Sequence, residues 1–434
     1  MVFRAGEAFL PLLLAAWFGR SNETDVYYFS WAAFAFAGSL IFSAYQDSSI
    51  VPILAEVRIL AATGTTEDTR TLPARVRGSL LVHTWILGGI LSAVIGMLAL
   101  GVFALRYDGA ELALAAKMVP LFCLFLVALA TKTFLVAVLN GEKRFFAHPL
   151  AGAIGTVATI GLLASFHGTA GVVLVPLAAL AGEVTQVVVL AHIAFGQLGL
   201  PLTLTTERPE PIARFVRLAA SEVGGGALTR VNPIVDQLVA GMTGVLGAGT
   251  LLRYSGDVSS LLTSLLQASL LPVLLSYLSD DFGAGNVRHF RHTVSRALLS
   301  VCAVLGAASF LVYLVRAPLL RLIFLRGEMD TGGVDRMIEI LPYHLVGAAP
   351  FGALLVLARA HVAMKNSKIM VSMGLLNAVL NVVFDVLFAK ALGLKGIALA
   401  TSGVHLAVAI VFWFRLEAHL RTLRDDGARA SVPA

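Results

Sequence analysis

Residues 211–243 read PIARFVRLAASEVGGGALTRVNPIVDQLVAGMT, and the reading of this stretch decides the fold. Most of it is apolar enough for a bilayer, yet it carries Glu222, Arg230 and Asp236 and is interrupted by Gly224-Gly225-Gly226 and by Asn232-Pro233. A charge at the centre of a spanning helix costs about 2.5–3.5 kcal/mol on insertion scales, so such groups face a partner, water or a substrate path. Helices broken by Gly or Pro near mid-membrane are where transporters hold cargo and ions. The competing reading is a kinked helix whose charges pair and only hold packing.

Working outward, the whole chain fits the same solvent. Of its 434 residues, 58% are hydrophobic and 13% charged, with a mean hydropathy of +0.86; a soluble domain carries about twice that share of charge. Apolar runs of about 20 residues recur, the length that crosses a ~30 Å hydrocarbon core as helix. They are continuous and not alternating, which argues against a membrane β-barrel. The expected fold class is an all-α polytopic membrane protein with about twelve transmembrane helices in two pseudo-repeated six-helix lobes around a central cleft. The apolar run after Met1-Val2-Phe3-Arg4 reads as a first spanning helix, with no convincing cleavage site. Cys123 and Cys302 fall inside apolar runs and have no disulfide or metal spacing.

The basic residues set an orientation. With both termini in the cytoplasm of a cell whose inner membrane the chain spans, twenty Lys and Arg fall on the cytoplasmic side and eight on the opposite side, as the positive-inside rule requires. The net charge of +6 is thereby a topology signal, with no nucleic-acid partner implied. Four arginines between the ninth and tenth helices run against the trend. The chain also repeats: a shift of 225 residues lays Lys143 on Lys368, Gly171 on Gly396 and Leu174 on Leu399. A repeat this long marks duplicated transporter halves. The expected division is a lobe over 1–195, a cytoplasmic linker over 196–211, a second lobe over 212–425 and a cytoplasmic tail over 426–434.

The chemistry lies in the few ionisable residues inside apolar runs. Arg253 and Asp257 are four apart and share a helix face. Lys132 lies near the middle of its run; Lys117 lies near an end and reads as a side chain reaching back to the interface. Arg4, Lys132, Arg230 and Arg253 are the candidate cargo contacts, because fixed cations suit a phosphate head group and the guanidinium of arginine stays charged and offers paired donors to phosphate oxygens. Asp25, Glu183, Glu222, Asp236, Asp257 and Asp385 are candidates for coupling an ion, H⁺ or Na⁺, or for pairing. No catalytic motif, metal-ligand set or phosphate-cradling loop is present, so neither an enzyme nor a bound cofactor is expected.

Several segments, taken in order, resemble the MurJ/MviN family of lipid II flippases, within the superfamily of multidrug, oligosaccharidyl-lipid and polysaccharide exporters. They are Phe18-Gly19-Arg20-Ser21 with Thr24-Asp25, Val51-Pro52-Ile53-Leu54-Ala55-Glu56, Leu139-Asn140 with Arg144-Phe145, Leu270-Leu271-Pro272, and Ile323-Phe324-Leu325-Arg326-Gly327 followed by the turn from Ala358 to Lys368. The resemblance implies a two-lobed, V-shaped bundle that moves a polyprenyl-pyrophosphate-linked saccharide, a peptidoglycan precursor, across the inner membrane by alternating access. It places a family arginine on Arg4 and another on Arg253, and keeps Asp25. Other family charges fall on Leu10-Pro11, Gly38 and Ser43, and the chain ends near where the family has two further helices that groove the lipid tail. Implied partners are the lipid-linked oligosaccharide, membrane lipids and other cell-envelope synthesis proteins. Two rival readings remain: an H⁺- or Na⁺-coupled multidrug or cation antiporter of the same superfamily, and a degenerate scaffold that transports nothing.

Overall fold

The computed structural model describes residues 5–44, 47–63, 66–106, 109–216, 231–364 and 368–430. Helix dominates them and no strand occurs among them. The backbone divides into two compact units, Met1–Arg230 and Val231–Ala434. Among the described residues, seven helical stretches are long and apolar enough to cross a membrane by length and composition: Glu67–Leu105, Ala110–Gly141, Ala147–Gln197, Val287–Phe324, Thr331–Ala363, Ile369–Leu392 and Leu394–Thr422.

The first unit holds α1 (Ala5–Phe18), α2 (Asn22–Ala44), α3 (Asp47–Thr63), α4 (Glu67–Arg106), α5 (Ala110–Gly141), α6 (Ala147–Ala170) and α7 (Leu174–Ala191). The Phe18–Asp25 motif has a mechanical meaning. Gly19 takes a positive φ of 58° and ends α1. Ser21 and Thr24 then cap α2 reciprocally: the Thr24 N–H donates to Ser21 Oγ at 3.2 Å, and the Ser21 N–H donates to Thr24 Oγ1 at 2.8 Å, a box that satisfies the open amides of a helix start. An aromatic cluster of Tyr27, Trp31, Phe34, Phe122 and Phe125 joins α2 to α5. Gly155 and Gly182 let α6 and α7 approach closely; a Cβ on either would overlap backbone or side-chain atoms of the other helix, the small-residue contact that membrane helices favour.

The polar segment expected to serve as a linker is docked along α4. Arg77 Nε donates to the Pro201 carbonyl at 3.1 Å and the Thr203 N–H to the Ala74 carbonyl at 3.1 Å. The Ser79 hydroxyl donates to the Glu207 carbonyl and Arg208 meets His83. Beyond it, Ile212 and Phe215 are buried with Ile53, Val76, Leu80 and Val138. The second lobe was expected to open at 212; packing puts these residues in the first unit instead, because two apolar side chains three apart fill its core.

The second unit holds α8 (Asn232–Gly241), α9 (Ala248–Gly283), α10 (Val287–Phe324), α11 (Thr331–Val346), α12 (Ala348–Ala363), α13 (Lys368–Leu392) and α14 (Leu394–Ala430). Asn232-Pro233 starts α8, with proline in the first turn, where its missing N–H costs nothing. The core draws Leu271, Leu274 and Leu278 from α9, Phe290, Val294, Val301 and Leu305 from α10, Val356 and Leu357 from α12, and Val408, Phe412 and Leu416 from α14. The hairpins α6/α7 and α13/α14 are the structural repeat. Each turns at a glycine of positive φ, Gly171 at 60° and Gly393 at 61°. Gly393 lies three residues before Gly396, so the repeat is real in architecture but its register slips from the 225-residue alignment.

Candidate functional site

The charged residues of the apolar runs resolve into three groups. In the first unit, Lys132 of α5 donates from Nζ to Glu183 Oε1 of α7 at 2.7 Å. Their side chains are only 14% and 12% exposed. A lone charge here would be costly, and the pair removes that cost for both helices. Both residues are thus committed to each other. Asp25 is buried in the first turn of α2, where the positive end of the helix favours an acid.

In the second unit, Arg253 Nε donates to Asp257 Oδ2 at 3.1 Å, one turn along α9. The arginine side chain stays 41% exposed and the aspartate 24%, so the acid orients the guanidinium without burying it. Arg4, Glu222 and Arg230 lie outside the described residues.

The third group is a polar ladder between α8 and α13. Asn377, Asn381 and Asp385 are four apart on α13 and line one face; Asn232 and Asp236 are four apart on α8. Asn377 Nδ2 donates to Asn232 Oδ1 at 3.1 Å, and Asn381 Nδ2 donates to Asp236 Oδ1 at 3.1 Å. The Asp236 and Asp385 carboxyls lie near each other at one end of the ladder. Asp385 is fully buried, and among the described residues no amide, hydroxyl or cationic donor reaches either of its oxygens. Two carboxyls close together in a buried interface repel when both are ionised, and a proton or a cation relieves that repulsion. The acids were legible as isolated charges. Their asparagine partners carry no charge to mark them in an apolar run, and the four-residue spacing of 377, 381 and 385 is their one signal.

The family model described as "MurJ: Lipid II flippase MurJ" matches residues 14–433. The chain belongs to the MurJ family. Curated MurJ relatives described as probable lipid II flippases include one from Rhizobium tropici, 23% identical over 402 residues that cover 89% of this chain and 73% of that protein. One from Thermotoga maritima is 24% identical over 410 residues, covering 94% and 81%. A third, from Vibrio cholerae, is 28% identical over 179 residues, 34% of its length. Among solved structures, the chain is similar to the lipid II flippase MurJ in an inward closed conformation, with a TM-score of 0.77, 19% identity, and coverage of 96% of this chain and 86% of that one. It is also similar to an inward-facing multidrug resistance MATE transporter, with a TM-score of 0.80, 14% identity and coverage of 98% and 96%. The MurJ fold and the wider superfamily fold are thus the same at this level, and the family match separates them.

Proposed function

We propose that this MurJ-family chain flips a polyprenyl-pyrophosphate-linked saccharide, lipid II or a close relative, across the inner membrane by alternating access. The observation that carries the reading is the family match across residues 14–433. On this reading Arg253, held by Asp257 yet still exposed, takes the pyrophosphate, with Arg4 and Arg230 as its expected companions. Lys132 is tied to Glu183 and joins the cargo only if that pair opens.

The same reading assigns Asp236 and Asp385 to ion coupling. Net export needs a driving force, and two neighbouring buried carboxyls, whose mutual repulsion a proton or a cation relieves, offer a place for H⁺ or Na⁺. Both termini are assigned to the cytoplasm by the basic-residue distribution, and enzymatic chemistry has no part in the scheme. Other cell-envelope synthesis proteins are the proposed partners.

The deciding experiment is a vesicle flipping assay with labelled lipid II. Arg253→Glu is expected to abolish translocation while the protein still inserts; full activity of that variant overturns the assignment. The similarity to a multidrug transporter favours one alternative, cation-coupled drug antiport. It predicts drug sensitivity on deletion with normal wall synthesis.

A further inference from the structure

The amino-terminal end of α10 carries chemistry that cargo transport does not use. An open groove of about 660 Å³ is lined there by Asn286, Arg288, His289, Arg291, His292 and Ser295. Two of these side chains are held in place by acids. His289 Nδ1 lies 2.8 Å from Asp281 Oδ1, and Arg291 Nε donates to Glu417 Oε1 at 3.0 Å. Arg288 pairs with no acid among the described residues, so one guanidinium charge is left over at the groove. Asn286 accepts the His289 amide through its side-chain oxygen at 3.1 Å, which leaves its amide nitrogen to donate. Guanidinium, amide and hydroxyl donors converging on one recess match a phosphate group.

The position of the groove says where that phosphate comes from. Helix α10 has 38 residues, a length of about 57 Å at 1.5 Å per residue, against a hydrocarbon core of ~30 Å. One end must therefore project into the headgroup layer. Residues 288, 292, 295 and 299 follow a 4-3-4 spacing and share one face. That face continues through Leu299, Phe310 and Leu314, which are 74%, 60% and 57% exposed. The buried stripe, Phe290, Val294, Val301 and Leu305, lies on the other side. A recess with an unpaired guanidinium thus heads an exposed apolar strip one turn below it.

We infer that this groove binds the phosphate of an anionic phospholipid whose acyl chains lie along the exposed face of α10. A soluble phosphate would gain nothing from the strip, whereas a lipid fits both halves. The inference does not depend on which cargo is flipped.

Native mass spectrometry of the full chain, with dioleoyl phosphatidylglycerol and dioleoyl phosphatidylcholine as probes, tests it. Wild type is expected to retain phosphatidylglycerol in preference to phosphatidylcholine. Arg288→Ala with His292→Ala should weaken the phosphatidylglycerol interaction about tenfold, the scale of losing one to two basic contacts at an anionic surface. Arg321→Ala, which removes a basic group near the far end of α10, should leave it unchanged. Glycerol 1-phosphate in large excess should not displace the lipid. Equal retention of the two lipids, an unaffected double variant, an equal loss with Arg321→Ala, or displacement by glycerol 1-phosphate would each overturn the inference. The substituted side chains are exposed, and an unchanged melting temperature confirms that the fold survives.

Discussion

Lys132 and Glu183 show how little a single residue reveals before its partner is known. Each is an isolated charge in an apolar run, one fit for cargo and the other for an ion. Together they are an ion pair buried to within 14% and 12% exposure. Removing one partner strands the other, so Lys132→Met should destabilise the protein by about 3–5 kcal/mol. Adding Glu183→Leu should restore most of the loss, as read by reversible unfolding in detergent. Restoration fails if Lys132 acts chiefly on something other than Glu183. The carboxyl pair behaves differently. Asp385→Asn keeps the size and supplies a donor to Asp236, so stability should hold or rise. Dependence of flipping on pH or Na⁺ should flatten, and the rate should fall at least about tenfold, if coupling runs through this pair. A flipping assay across pH and Na⁺ concentration checks both. Unchanged coupling would mean that the pair only packs α8 against α13.

Among the elements, α4 and the segment from Pro201 to Glu207 form the contact least visible in advance. Gly78 faces the Thr203 carbonyl so closely that a Cβ would overlap it. Gly78→Val should displace the segment without breaking α4. The Thr203 N–H bond to Ala74 and the Arg77 bond to Pro201 should then be lost. Hydrogen exchange should show the Thr203 amide losing at least about tenfold of its protection, with the amides of α4 unchanged. Unchanged protection at Thr203 would show that the segment is held elsewhere. The repeated hairpins teach a related lesson. Their helices were legible from apolar runs, but the register was not, because the turn is set by which glycine adopts positive φ, Gly393 and not Gly396. An ungapped alignment counts identities and has no access to φ.

For the molecule as a whole, the family match and the apolar helices make this a multi-pass membrane protein, and the basic-residue distribution predicts its orientation. Single cysteines at Glu142 and at Gly327, in a chain with Cys123 and Cys302 replaced by alanine, should react with an impermeant maleimide from opposite sides. Glu142 should be labelled only after the inner face is exposed, and Gly327 from outside in intact cells. Labelling of both from one side would refute the arrangement. Two compact units of similar architecture were also foreseeable from the duplicated halves. The position of the boundary was not, since Ile212 and Phe215 are claimed by the first core.

Composition and patterning determined the solvent, the helical class, the duplication and the short roster of charges, because a bilayer penalises polar groups so heavily that each exception stands out. Ordered motifs carried the family. Only the tertiary structure decided which exceptions meet: Lys132 with Glu183 across 51 positions, Asn381 with Asp236 across 145. Hydropathy is a property of single residues along a line, whereas pairing depends on which helices pack and at what height, and that follows from the side-chain contacts of the whole unit.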